Sequence, residues 1–337
     1  MWGRTDLLDE SDEMVKHRTK QQKETLKDSE GIKLEETREG AVLITSIEVD
    51  EEGEKKIGKK KGKYITLTDL TLSPEDEDSF KNIARIFVDK LKEMQNSMNL
   101  KNNPKILVIG LGNASITPDA IGPKAIEYLQ GSNLTNQEDI KVVMYAPGVT
   151  GQTGFETSDF VKAISDAFKP DLIVVMDALA ARNSERLCKT VQITDTGIHP
   201  GSGVGNQRKE ISKEVYGVPV IAIGIPMVVD GPVLYADAME QVIHHIASKV
   251  EESSKPSSAL AVTPMTSSKN SNLDKAVLQP IFGEWVHWST EEKRKLFEEV
   301  FVGKNPSLFV TPKETDAWVE HYAYMLSSSI DTWLTAR

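Results

Sequence analysis

Asp119 and Asp177 are the residues of this 337-residue chain whose type and spacing best suit chemistry. Each follows an apolar run that reads as a buried parallel strand. Ile106–Gly110 leads through Gly110-Leu111-Gly112-Asn113 toward Asp119, and Leu172, Ile173, Val174 and Val175 lead to Asp177, which is expected to end its strand. Open parallel sheets build their sites in the crevice at the carboxyl ends of the strands, so the two acids converge if their strands are neighbours. Two close carboxylates cannot both ionise cheaply; one keeps a proton while the other polarises water, the chemistry of general acid–base hydrolysis. Taken singly, an Asp at such a place is most often a cap or turn residue. The pairing is what points to a site.

The glycines around these acids fit nucleotide binding poorly. A dinucleotide fingerprint needs glycine at 110, 112 and 115, yet Ser115 stands at the third place, and the next strand ends in Tyr145-Ala146-Pro147 rather than an acid. A second run, residues 197–206, carries Gly201, Gly203 and Gly205 but lacks the spacing and Lys-Ser/Thr ending of a P-loop. Such a run lets backbone approach a substrate, and is equally what a plain surface loop looks like. His199, within it, is the histidine placed to reach the crevice. Asp119, Asp177 and His199 therefore form an alternative, an oxygen–nitrogen metal triad, on a thin pattern. His244 and His245 fall in the last sheet-covering helix and are expected to be structural, and His287 and His321, in the helical tail, lack acidic or histidine partners at metal spacing. The single cysteine, Cys188, excludes an internal disulfide and a Cys-based zinc site, and is expected buried and inert. No cofactor is implied. The lysines of 55–63 read as a solvated loop.

Composition narrows the class. Hydrophobic residues make up 39% and charged residues 27%, enough apolar material for a sizeable core. A net charge of −11 disfavours direct nucleic-acid binding, which needs a basic face. No window nears the ~18 apolar residues of a membrane span, and residues 1–20 lack the apolar core of a signal peptide. A soluble, cytoplasmic protein is expected.

The elements that must position the acids follow from the patterns. Residues 1–40 read as a charged N-terminal segment without a sustained apolar stripe. Residues 41–72 read as a small β-rich insertion whose two strands flank a charged excursion, 50–63. From 105 to 250 apolar strands alternate with amphipathic helices, predicting an α/β fold with a mainly parallel sheet covered by helices, so that 41–250 is the catalytic domain. Residues 251–275 are Ser-rich and read as a linker, and 276–337 as a helical C-terminal extension. The aromatic residues of this tail suit a core or a subunit contact.

Several segments closely resemble the germination protease family of spore-forming bacteria: 107–123 (LVIGLGNASITPDAIGP), 147–159 (PGVTGQTGFETSD), 177–186 (DALAARNSER) and 193–210 (ITDTGIHPGSGVGNQRKE). The likeness extends to Arg4-Thr5-Asp6-Leu7, 58–67, 218–230 and 310–316 (VTPKETD), in order along most of the chain. The resemblance implies a fold similar to the hydrogenase-maturating endopeptidases. It also implies degradation of small acid-soluble spore proteins at germination, in the cytoplasm of the spore core, by a homotetramer made as a zymogen. The family's proposed catalytic aspartates match Asp119 and Asp177; in the hydrogenase-maturating enzymes acids at similar positions bind a metal. The family's preference for cutting after glutamate makes Arg182 and Lys209 candidates for an acidic substrate side chain, with structural ion pairs the equal alternative. Gly112, Asn113, His199, Gly201 and Gly203 are candidates for presenting backbone and polar groups to substrate. Zymogen cleavage is expected between Asp6 and Leu7, a short leader, with restraint exerted by residues 1–40 as a whole. The readings from other classes are a metal-dependent peptidase and a non-catalytic binding protein with this crevice.

Overall fold

The apolar runs at 106–110 and 172–176 become neighbouring central strands of a sheet. The structure, a computed structural model, describes residues 31–101, 103–132, 134, 141–154, 156–200, 209–253, 279–280, 282–302 and 308–335. The chain divides into two units, one ending at Val228 and resuming at Thr311, the other Val229–Val310. The strands of the larger unit are β1 (Ile32–Glu39), β2 (Val42–Val49), β3 (Gly62–Thr68), β4 (Ile106–Gly110), β5 (Val142–Tyr145), β6 (Leu172–Ala181), β7 (Thr190–Thr194) and β8 (Val220–Asp230), the last two residues of β8 opening the smaller unit. They bond in the order β1-β2-β3-β7-β8-β6-β4-β5. Helices longer than one turn, among the described residues, are α1 (Glu51–Ile57), α2 (Glu77–Ser97), α3 (Ile121–Gln130), α4 (Thr157–Phe168), α5 (Gly231–Ser253), α6 (Thr290–Val302) and α7 (Thr315–Thr335).

β4 pairs in parallel with β5 and β6. β6 and β8 also run the same way: the Ile173 amide bonds the Pro219 carbonyl at the start of both, and Leu179, late in β6, lies on Gly224. β1, β2, β3, β7 and β8 are joined antiparallel, each to the next. The chain thus has the α/β fold its strand–helix alternation predicts. The parallel half is β5, β4, β6 and β8, and the β-rich insertion extends the same sheet through β7.

The N-terminal part differs from its expected outline. β1 lies within the charged segment, because Ile32 and Leu34 alternate with Lys33 and Glu35 and bury against Ile47, Val49 and Tyr64. An edge strand needs only one apolar face, and its charges discourage pairing with another chain. The charged excursion contains α1, capped by Asp50, whose carboxylate accepts from Glu52 and Gly53 amides at 2.8 and 3.0 Å, and closed by Gly58 at φ 68°. Lys59, expected in a solvated loop, is buried, and Lys60 bonds Glu210 at 2.6 Å.

One sheet face packs under α2, α3 and α7. Ile83, Ile86, Phe87 and Leu91 of α2, and Trp318, Tyr322, Leu326 and Trp333 of α7, bury against Ile106, Val108, Val174 and Met176. Trp333 Nε1 donates to Gln95 at 2.7 Å, tying α7 to α2, so these tail aromatics are core. Fully burying one such side chain contributes about 1.5–3 kcal/mol. The other face carries Leu107, Ile109, Ile173, Val175 and Leu179 under Val161 of α4 and Tyr216. In the smaller unit β9 (Phe309–Val310) pairs antiparallel with Val229 and Asp230, and α5 packs on α6. Most of the Ser-rich linker, residues 254–275, falls outside the described residues. No helix among the described residues is long and apolar enough to cross a membrane.

Candidate active site

The order of strands in the sheet creates the crevice. From β4 the chain passes through α3 to β5 on one side, whereas from β6 it leaves toward β7 and β8 on the other. β4 and β6 are adjacent, so the connections leaving their carboxyl ends diverge, which is where α/β sheets bind ligands. Asp177 does not end its strand: β6 runs on to Ala181 alongside β8. β4 is the strand that stops, at Gly110 opposite Met176, and the Leu111 amide closes the ladder on the Met176 carbonyl at 2.8 Å. Asp177 is therefore the first residue of β6 beyond the end of β4. It is 6% exposed, shares the sheet face of Ile173, Val175 and Leu179 by alternation, and accepts from the Ala178 amide at 2.9 Å through Oδ1.

Asp119 closes a 3-10 turn, Thr117–Asp119, which packs on β6, α3 and α7. Its Oδ2 accepts from the Asn113 amide at 2.8 Å, and Asn113 Oδ1 accepts from the Ser115 amide at 2.9 Å. Gly112 has φ +121°, and a Cβ there would stand 1.9 Å from the Asp119 carbonyl oxygen. Only glycine satisfies both that dihedral and that approach. A Cβ on Gly110 would stand 2.1 Å from the Gly122 carbonyl oxygen, so the turn and the start of α3 are drawn together as well. These glycines let the backbone pack closely around the turn that carries Asp119. The Asn113 amide is turned to Asp119, and Gly112 packs against it. Covalent and hydrogen-bonded steps connect the acids: Asp177 follows Met176, Met176 bonds Leu111, and Gly112 abuts Asp119.

The neck of the second glycine run sits on the face of Asp177. Ile198 and Ile211 exchange backbone bonds of 3.0 and 2.8 Å and share a cluster with Leu179. Gly201 and Gly203 lie outside the described residues, as do Asp6 and Leu7. His199 is exposed, with Nε2 3.8 Å from Glu210. Among the described residues no group of three His, Cys, Asp or Glu side chains is close enough to hold a metal, so Asp119, Asp177 and His199 are not gathered into a triad. Lys209 bonds Asp159 at 2.8 Å, with Glu156 at 3.9 Å; its hydrogen bond to Asp159 raises its pKa. Arg182 is half-buried, one residue past β6.

A further feature of this face is polar. Thr45 pairs with Thr66, Thr66 with Gln192 and Gln192 with Gly224, on which Leu179 lies, so buried polar side chains extend in a row from the strand bearing Asp177. The trace in the sequence is polar residues alternating through otherwise apolar strands, as in Thr190-Val191-Gln192-Ile193-Thr194.

Comparison with known proteins gives the relatives of the chain. The family model for germination protease matches residues 9–337. The germination protease of Geobacillus sp. (strain WCH70) is 38% identical over 348 residues, covering 98% of this chain and 93% of that protein. That of Priestia megaterium (strain ATCC 12872 / QMB1551) is 39% identical over 318 residues, covering 90% and 86%. Among solved structures, the [NiFe] hydrogenase maturation protease HycI from Thermococcus kodakarensis KOD1 aligns at 24% identity with a TM-score of 0.28, over 36% of this chain and 74% of that one.

Proposed function

This chain belongs to the germination protease family and is an endopeptidase; from that premise we propose that it degrades small acid-soluble spore proteins during germination, with Asp119 and Asp177 as its acid–base pair. The observation that carries the reading is the position of the two acids, one following β4 and the other on β6 where β4 ends, at the divergence of their connections. In the reaction one carboxylate, ionised, takes a proton from water as the water oxygen bonds to the scissile carbonyl carbon. The other, protonated, gives its proton to the amide nitrogen as the carbon–nitrogen bond breaks. Two protons change hands and the products are a carboxylic acid and an amine.

The same reading includes assembly as a homotetramer, residence in the cytoplasm of the spore core, and maturation by cleavage between Asp6 and Leu7. Closed symmetric assemblies are the commonest state of soluble oligomers. Incubation with a purified small acid-soluble spore protein, followed by mass spectrometry of the fragments, tests the substrate; an intact substrate overturns it. Prolonged chelation should leave the rate unchanged. Loss of activity that added divalent metal restores would replace the dyad with a metal site. Full-length protein compared with a chain beginning at Leu7 tests maturation, with the shorter form expected to be faster.

A further inference from the structure

Strand order leaves the β-rich insertion away from the two acids, since β7 and β8 separate β3 from β6. Side-chain contacts nevertheless lead from the insertion to the face of Asp177. They converge on the neck of the second glycine run, whose arms are residues 195–198 and 209–211. On the outgoing arm, Asp195 Oδ1 accepts from the Lys63 amide at 2.7 Å, and a Cβ on Gly62 would stand 2.3 Å from Thr196 Cγ2. The return arm is held from both sides. Lys209 bonds Asp159 of α4 at 2.8 Å, and Glu210 meets Lys60 of the insertion at 2.6 Å.

The Lys60 end of that pair is arranged in advance. Its carbonyl accepts from the buried Tyr64 hydroxyl at 2.8 Å, and Gly58 closes α1 just before it. The Glu210 side chain is 16% exposed, so it relies on its lysine more than a surface carboxylate does. Glu214, 3.5 Å from Lys60, and His199, 3.8 Å from Glu210, lie further off and are exposed. The two arms are pressed together, because Gly197 has φ +91° and a Cβ there would stand 2.3 Å from the Ile211 carbonyl oxygen. Ile198 and Ile211 are buried in one packed cluster with Val175 and Leu179, the residues two before and two after Asp177 on its face.

We propose that Glu210 is a positioning residue for peptide hydrolysis: through Lys60 it fastens the return arm to the insertion and so fixes the packing that supports Asp177. The proposal rests on the reading of Asp177 as one of the acid–base pair, and it gives the β-rich insertion a part in the reaction. The effect falls on the chemical step, because the neck packs on the neighbours of Asp177. Moving a catalytic group by about 1 Å costs up to about 100-fold in rate. The same pair adds little to folding, as ion pairs with an exposed partner generally do.

The test is steady-state cleavage of a purified small acid-soluble spore protein by the full chain and its variants Glu210→Gln, Lys60→Met and the charge swap Lys60→Glu/Glu210→Lys. Each single variant should lower kcat by about 10–100-fold with KM unchanged, and circular dichroism and the unfolding midpoint should stay near wild type. The charge swap should recover most of the lost kcat, since it rebuilds the pair in reverse. Lys61→Met is the control: it breaks an exposed pair with Glu51, 3.0 Å long, on the same loop, and should keep the wild-type kcat. Asp177→Asn, run alongside, separates this proposal from the reading beneath it. Turnover near wild type in Asp177→Asn overturns the dyad and the clamp together. An inactive Asp177→Asn beside Glu210→Gln and Lys60→Met that turn over like Lys61→Met overturns the clamp alone. So does a loss of kcat that follows a lowered unfolding midpoint and that the charge swap leaves unrepaired.

Discussion

The main-chain amide of Asn113 donates to Oδ2 of Asp119 at 2.8 Å, so the residue ending the glycine turn holds the carboxylate six positions ahead of it. Gly112 makes that reach possible through its dihedral and its missing Cβ. Gly112→Ala should therefore destabilise the fold by about 1–3 kcal/mol, the usual cost of a strained backbone, and lower kcat in the fraction that remains folded. Gly131→Ala is the control, since φ there is −81° and the nearest atom to its Cβ is 3.5 Å away. Urea titration and kcat on the two variants check this, and equal behaviour would remove Gly112 from the positioning of Asp119.

Asp119→Asn and Asp177→Asn keep the shape of each side chain and remove its proton chemistry. Each should lower kcat by at least about 100-fold, the lower range for removing a general acid or base, with the unfolding midpoint little changed. Turnover near wild type in either folded variant would take that aspartate out of the dyad.

What could be read in the sequence follows from how many sides of each element are buried. β4 and β6 are covered on both faces and so appear as unbroken apolar runs, which makes the places of Asp119 and Asp177 legible. β1 shows only Ile32 and Leu34 among charges, and α1 is capped by Asp50 and almost wholly polar, so neither stands out. The continuation of β6 past Asp177 depends on β8 pairing alongside it, a long-range fact. The Asn113–Asp119 bond needs the actual turn geometry. The inward charges of α5 mislead in the opposite sense, since Asp237 and Glu240 look solvent-facing until Arg294 and Lys293 are seen opposite them.

Alkaline stability should fall in a defined window. Burial pushes the Cys188 thiol up from 9.0 to about 12 and the Tyr216 hydroxyl from 10.0 to about 12. The folded chain keeps both protons while the unfolded chain sheds them, so the unfolded state binds fewer protons and stability declines as pH rises from about 9 toward 12. Cys188→Ala should flatten the first part of that decline. Because Cys188 is the only cysteine, iodoacetamide at pH 8 should label the unfolded chain and spare the native one. Rapid labelling of native protein would show the thiol to be accessible.

Leu179 and Gly224 offer a test of the face that carries Asp177. A Cβ on Gly224 would lie 2.3 Å from Leu179 Cδ1 and 2.7 Å from its Cγ, so the leucine occupies the space the glycine leaves. Gly224→Ala should push Leu179 out of its place and cost about 1–3 kcal/mol, as overpacking does. Leu179→Ala should cost about 2–5 kcal/mol by opening a cavity. In the double variant the new methyl enters space that the leucine has vacated, so the combined loss should fall short of the sum by about 0.5–3 kcal/mol. Leu179 stands two residues beyond Asp177 on the same face, so Gly224→Ala should also lower kcat, and adding Leu179→Ala should recover part of it. Denaturant unfolding of the four proteins gives the coupling and their kcat values give the link to the site. Strictly additive stabilities would mean that the two side chains do not share this space.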